Sequence, residues 1–263
     1  MKTLFFLSFV LYAAAVILQF TGTAFKKEKL RTGAWLLFLA AFFFHTLFIV
    51  VRGVVAGRLP LSNQFEFSNA FAWGIALFLI VLRLRSKADW LTVAAMPAAL
   101  LVMTYAALQP MEINDLMPAL RSAWFGIHIG AAVLSYSAFI LAGCAGLRYL
   151  LLSRRGEQAD SVKLQQMDYM GYRLVAFGFL FLTVVILSGA IWAEQAWSAF
   201  WTWDPKEVWA LITWIIYAVY LHLRLRMKKN GRVLAWFLII AVPVVFFTFA
   251  GVNTLMPGLH SYG

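Results

Sequence analysis

Long apolar runs alternate with short polar connectors along the whole of this chain. A bilayer core of about 30 Å takes roughly 20 apolar residues of helix to cross. The runs predict helices over about 4–22, 33–51, 68–82, 90–107, 122–151, 174–191, 208–226 and 233–250. Helices are the expected form because backbone donors and acceptors cannot stay unpaired in lipid. The third run is short and starts close to polar residues. The fifth exceeds a minimal span and is expected to tilt or project. The first run has the lysine, apolar core and small residues of a secretion signal, yet reads as a retained helix among several. The pattern therefore predicts an all-α polytopic membrane protein: one membrane domain, 1–263, with about eight transmembrane helices.

Composition agrees. The chain is 63% hydrophobic and 13% charged, which excludes an ordinary soluble domain. The single cysteine, Cys144, lies inside a run, so neither an internal disulfide nor a CxxC thiol exchange is available.

The net charge of +11 raises the question of nucleic acid. Its distribution answers it. Lys26, Lys27, Lys29 and Arg31 follow the first run, and Arg83, Arg85 and Lys87 the third. Arg148, Arg154, Arg155, Lys163 and Arg173 surround the connector after the fifth, and Arg224, Arg226, Lys228, Lys229 and Arg232 follow the seventh. With eight spans all of these fall on one side, against Lys2, Arg52, Arg58, Arg121 and Lys206 on the other. The positive-inside rule makes the first side cytoplasmic and places both termini outside. The basic residues then fix topology and meet anionic lipid, and no nucleic-acid partner is expected.

Three segments are expected on the outer side. Val51–Trp73 carries Pro60 and Ser62-Asn63, which break regular structure, and Glu66, which has Arg52 or Arg58 as an ion-pair partner. Phe65, Phe67 and Phe71 are expected against the membrane interface. A re-entry turn ending in a helix cap, or one wall of a ligand groove, fits this segment. The second segment, Trp192–Trp209, holds five of the eleven tryptophans together with Glu194, Asp204, Lys206 and Glu207. Asp204, Pro205 and Glu207 have the spacing of a capping box opening the seventh helix. That role does not explain Trp192, Trp197, Trp201, Trp203 and Trp209. Trp197 and Trp201 share a face if this portion is helical. An interfacial belt accounts for tryptophans spread over several helices. Concentrated on one connector, they fit a flat ligand, with Lys206 placed to meet its carboxylate. The third segment, 252–263, has turn-forming Pro257, Gly258 and Gly263 around His260.

Only four histidines occur: His45, His128, His222 and His260. Ionisable residues in a membrane are costly and commonly serve a site. Imidazole ligates haem iron when two rings oppose each other across the macrocycle. By helix rise, His128 and His45 lie about 9 Å from the outer ends of their runs, and His222 about 21 Å. His128 is thus at a level that His260 can meet. His45 and His222 sit at different levels, which leaves His222 in need of a ligand from another subunit. The ordinary alternatives are a helix-carbonyl bond for His45 and an interfacial basic role for His222.

WTWDPKEVW at Trp201–Trp209, beside Trp192 and Trp197, resembles the tryptophan-rich haem motif of the CcsA/ResC family of cytochrome c biogenesis proteins. His45 with Arg52, LPLSNQFEF at Leu59–Phe67, SAWFGIHIGAAVLSYSAF at Ser122–Phe139 and GVNTLMPGLHSYG at Gly251–Gly263 are similar to further family segments. NQFEF departs from the common NMYES-like form: Glu66 remains, and Phe65 stands at the tyrosine position, where it offers no hydroxyl.

The resemblance implies that His128 and His260 ligate an external haem, and that His222 is a transmembrane haem ligand whose opposing ligand comes from a CcsB/ResB-like membrane protein. It implies haem b as substrate and bound ligand, apocytochrome c with its CxxCH thiols as acceptor, and thiol-reducing proteins as further partners. Trp192, Trp197, Trp201, Trp203, Trp209 and Asp204 would border the outer pocket, with His45, Arg52, Glu66, Lys206 and Glu207 in support. No catalytic residue is assigned. The expected location is a bacterial cytoplasmic membrane, with attachment on the extracytoplasmic face. A CcmC-like transporter that loads a haem chaperone, or a structural protein with an aromatic belt, are the alternative readings.

Overall fold

The computed structural model describes residues 1–154 and 160–256. Among the described residues the regular structure is helical, with no strand. Eight helices among the described residues are long and apolar enough to cross a membrane, which makes this a multi-pass membrane protein. The chain forms two compact units, Met1–Asp115 and Leu116–Gly263.

The first unit is built from α1 (Lys2–Ala24), α2 (Glu28–Ala56), α3 (Gln64–Ser86) and α4 (Thr92–Ala107). Helix α1 packs on α2 and α4, and α3 packs on α4 and α2. Gly57, at φ 63°, ends α2 in the left-handed region that glycine enters without strain. Helix α3 starts four residues earlier than hydropathy predicts. The Asn63 side chain accepts from the Glu66 amide and caps it. Glu66, although charged, is buried there with its partners supplied.

Phe65 and Phe71 are buried inside this unit instead of lying at an interface. Phe65 sits 5.4 Å from Phe5 and 5.9 Å from Phe48, ring to ring. Once α3 continues back to Gln64, its first turn faces α1 and α2, and burial of the rings follows.

The second unit contains α5 (Ala123–Ser153), α6 (Ser161–Trp197), α7 (Pro205–Leu225) and α8 (Arg232–Phe246). A π-helical turn (Phe247–Gly251) and a short α9 (Val252–Leu255) continue α8. Helix α5 packs broadly on α6 and also on α8, while α7 packs on α6 and α8. Gly146 permits the α5–α8 approach, because a Cβ there would stand 2.8 Å from the Ala235 carbonyl oxygen.

Helix α6 is far longer than its apolar run. Hydropathy marks only the stretch that lipid requires, whereas the helix continues through polar residues at both ends. Asp160 caps it, accepting from the Lys163 amide at 3.0 Å. That amide and the Lys163 ammonium hold the Asp160 carboxyl below the usual range.

Candidate functional site

The connector between α6 and α7 is short. Helix α6 runs through Trp197 and stops at Ser198, which takes a left-handed φ of 56°. Helix α7 opens at Pro205. Trp192 and Trp197 therefore belong to α6, Trp209 to α7, and only Trp201 and Trp203 to the connector. Trp201 and Trp197 do not share a helical face, because the helix ends between them.

The expected capping box is present. Asp204 accepts from the Lys206 amide at 2.9 Å and caps α7, with Pro205 in its first turn. Glu207 reaches back to accept from the Thr202 amide at 2.8 Å and the Asp204 amide at 3.2 Å. This carboxylate gathers the backbone of the connector and so fixes where Trp201 and Trp203 start. Their rings meet edge to face at 5.8 Å, and Trp203 is 70% exposed. Lys206 is partly buried.

Trp192 has a different environment, at 1% exposure. Its indole N–H donates to the Ala119 carbonyl at 2.7 Å. Its ring lies 5.1 Å from Phe125 and 4.9 Å from Trp197, in a cluster with Leu120. Trp209 packs 4.3 Å from Phe247, in the π-helical turn.

His128 stands on α5 beside this cluster, its ring 5.9 Å from that of Trp192. Its Nδ1 is 2.8 Å from the Val185 carbonyl oxygen on α6. A carbonyl only accepts, so Nδ1 carries the proton, and in the neutral ring the lone pair is then on Nε2. A side chain in that tautomer ligates a metal through Nε2. Nothing in the sequence pattern marks Val185, because the contributing group is a backbone carbonyl.

His222 lies seventeen residues past Pro205, about 26 Å along α7 by helix rise. It is exposed, on a stripe with Ile215 and Val219 that faces away from the rest of its unit. Two residues on, Arg224 pairs with Asp168, whose other oxygen accepts from the Gly231 amide at 2.9 Å. His260 lies outside the described residues, as does the segment from Pro257 onward.

In the first unit, His45 is fully buried on α2, with Nδ1 3.5 Å from the Tyr12 hydroxyl on α1. The expected pairing of Glu66 is present with both arginines. Arg52 donates from Nε to Oε1 at 2.8 Å, and Arg58 from Nη1 to Oε2 at 2.8 Å. Ser62 adds its amide and hydroxyl to Oε2. Arg52 further donates to the Met111 and Glu112 carbonyls at 2.8 and 3.0 Å. One carboxylate thus gathers the connectors after α2 and after α4.

Residues 61–260 match the family model described as cytochrome C assembly protein. The chain belongs to this family. The matched range includes Glu66, His128, the connector tryptophans, His222 and His260, and leaves His45 and Arg52 before its start. Among similar proteins, cytochrome c biogenesis protein CcsA of Guillardia theta is 32% identical, with 98% of this chain and 94% of that one aligned. The CcsA of Parasynechococcus marenigrum strain WH8102 is 34% identical over 97% and 94% of the two chains. That of Marchantia polymorpha is 34% identical over 85% and 84%. Assembly-family membership thus extends over nearly the whole length, both units included.

Proposed function

We propose that this chain delivers haem b and holds it for covalent attachment to apocytochrome c, as the CcsA-type subunit of a membrane cytochrome c synthase. The observation that carries the reading is His128, set in one tautomer by the Val185 carbonyl and flanked by Trp192. His128 and His260 would hold the iron of the outer haem, with Trp201 and Trp203 offering flat surface in the connector before α7. His222 is the membrane ligand, and its exposed face on α7 is suited to a ligand donated by a CcsB/ResB-like partner. The site faces the extracytoplasmic side of a bacterial cytoplasmic membrane, as the distribution of basic residues favours.

Attachment asks little of this chain beyond placement. Each CxxCH thiol adds across a haem vinyl group: sulfur bonds one vinyl carbon, the proton goes to the other, and no net oxidation occurs. Partners keep the thiols reduced. The chain contributes proximity and orientation. His128, His260 and His222 retain the iron, while Asp204 and Glu207 shape the connector.

Purification with the CcsB-like partner, followed by haem absorbance on single alanine variants of the four histidines, tests the reading. Loss of the outer-haem signature in His128→Ala and His260→Ala, with normal membrane accumulation, is the expected result. Unchanged haem content and ligand-field spectra in both variants would overturn it.

A further inference from the structure

His128 reaches a helix carbonyl that already has a partner. In α6 the Val185 oxygen accepts the amide of residue 189, as α-helical geometry requires. A second donor must approach that oxygen from the side. In a helix each Cα–Cβ bond tilts toward the N-terminus, so the side chain at i+4 ordinarily covers the carbonyl at i. Here position 189 is glycine, so no Cβ at 189 covers the carbonyl where His128 approaches it, although the Ser188 hydroxyl reaches the same oxygen at 3.4 Å. A Cβ placed on Gly189 would stand 2.8 Å from His128 Nδ1 and 2.9 Å from its Cε1. Those distances are closer than side chains approach one another, so either the ring or the helix pair would have to move.

The helix pair is held elsewhere. Seven residues onward along α5 and seven back along α6, Ser135 donates to the Gly178 carbonyl at 2.8 Å. A Cβ on Gly178 would stand 2.6 Å from Phe139 and 3.1 Å from the Ser135 carbonyl oxygen, so the α5 backbone itself is close there, whereas the three atoms nearest a Cβ on Gly189 all belong to the His128 ring. The same antiparallel register thus serves both cross-helix bonds, and the Ser135 bond anchors it without His128. The imidazole is the part that would yield.

We propose that Gly189 is a positioning residue for haem ligation: by leaving the Val185 carbonyl open, it sets the tautomer and ring plane of His128 and directs Nε2 toward the iron. This rests on the reading of His128 as an outer-haem ligand. The group recognised at Nε2 is a ferrous or ferric porphyrin. Val185 acts through its backbone, so Gly189 is the position whose side chain decides the geometry. Partners that orient a ligating imidazole typically change metal affinity about 10- to 100-fold when removed.

The test compares Gly189→Ala, His128→Ala and replacement of His128 by Nδ1-methylhistidine, each purified with the partner protein. The methylated ring cannot donate to Val185 but keeps its ligating Nε2. In Gly189→Ala and in the methylated protein, the outer haem is expected to lose its wild-type axial-ligand absorbance and electron paramagnetic resonance signature. Retention should be weaker by about 10-fold or more, and added imidazole should restore the signature in Gly189→Ala. A wild-type signature in either protein overturns the role of Gly189, and if Gly189→Ala does not accumulate, the methylated protein decides. A wild-type signature in His128→Ala overturns ligation by His128 itself, so the two failures are separable.

Discussion

Arg52 and Glu66 meet at 2.8 Å with both side chains withdrawn from the surface, at 1% and 0% exposure. Such a pair is stable only when its remaining hydrogen-bonding capacity is met. Here it is: Arg58 and Ser62 complete the carboxylate, and two backbone carbonyls complete the guanidinium. Removing one member leaves an uncompensated charge. Glu66→Ala is expected to destabilise the chain by roughly 3–5 kcal/mol. Thermal unfolding in detergent should show this as a large fall in midpoint, and Arg58→Ala should fall much less.

The α7 cap makes a smaller and more local prediction. Asp204→Ala removes the acceptor for the Lys206 amide and should cost about 1 kcal/mol. Asp204→Asn, which retains an acceptor, should cost less. Hydrogen exchange at the first-turn amides of α7 is the measurement, with faster exchange expected in the alanine variant only.

Trp192 and Trp203 separate folding from ligand contact. Trp192→Ala empties a buried indole site and strands the Ala119 carbonyl, at a cost of about 3–5 kcal/mol. Trp203→Ala, at an exposed position, should change stability by no more than about 0.5 kcal/mol while lowering haem retention. Unfolding curves beside haem-to-protein ratios distinguish the two. Loss of stability without loss of haem in Trp203→Ala would contradict its place on the ligand surface.

Asp168 ties α6 to the α7–α8 turn through Arg224 and the Gly231 amide. Asp168→Ala should cost on the order of 2 kcal/mol, the size of a charge-assisted hydrogen bond. The effect should appear as faster hydrogen exchange over residues 226–231. His222 lies on the adjoining turn of α7, so haem held by that residue is expected to be retained less well.

The N-terminus of α6 carries a pH dependence. The carboxyl of Asp160 is held below its ordinary value in the folded chain. Its stabilisation of the first turn is therefore fully present above the unfolded carboxylate range, and is lost as the pH falls through the lowered folded value. Hydrogen exchange at residues 161–164, followed down to pH below the ordinary carboxylate range, should stay protected until that point. Asp160→Asn should remove the dependence.

Sequence alone determined the helical class, the eight spans, the Asp204–Glu207 cap and the choice of Arg52 and Arg58 as partners of Glu66. The class, the spans and the cap are set by hydropathy or by spacing within one turn. The arginines are the cations nearest Glu66 in sequence, although the Arg52 pair, 14 residues apart, is closed only by the packing of α2 against α3. The run of tryptophans was legible as a cluster, and the motif carried the family. Its division was not legible. Helix α6 continues past its apolar stretch, so Trp192 and Trp197 leave the connector, and Trp192 becomes core against Phe125 and Ala119. The Val185 carbonyl beside His128 was equally hidden. A backbone oxygen has no residue-type signature, and the pairing exists only because α5 and α6 lie antiparallel in one register with glycine at 189. The exposed placement of His222 follows from which face of α7 meets α6 and α8. Those three features are properties of helix-to-helix packing, which tertiary structure alone decides.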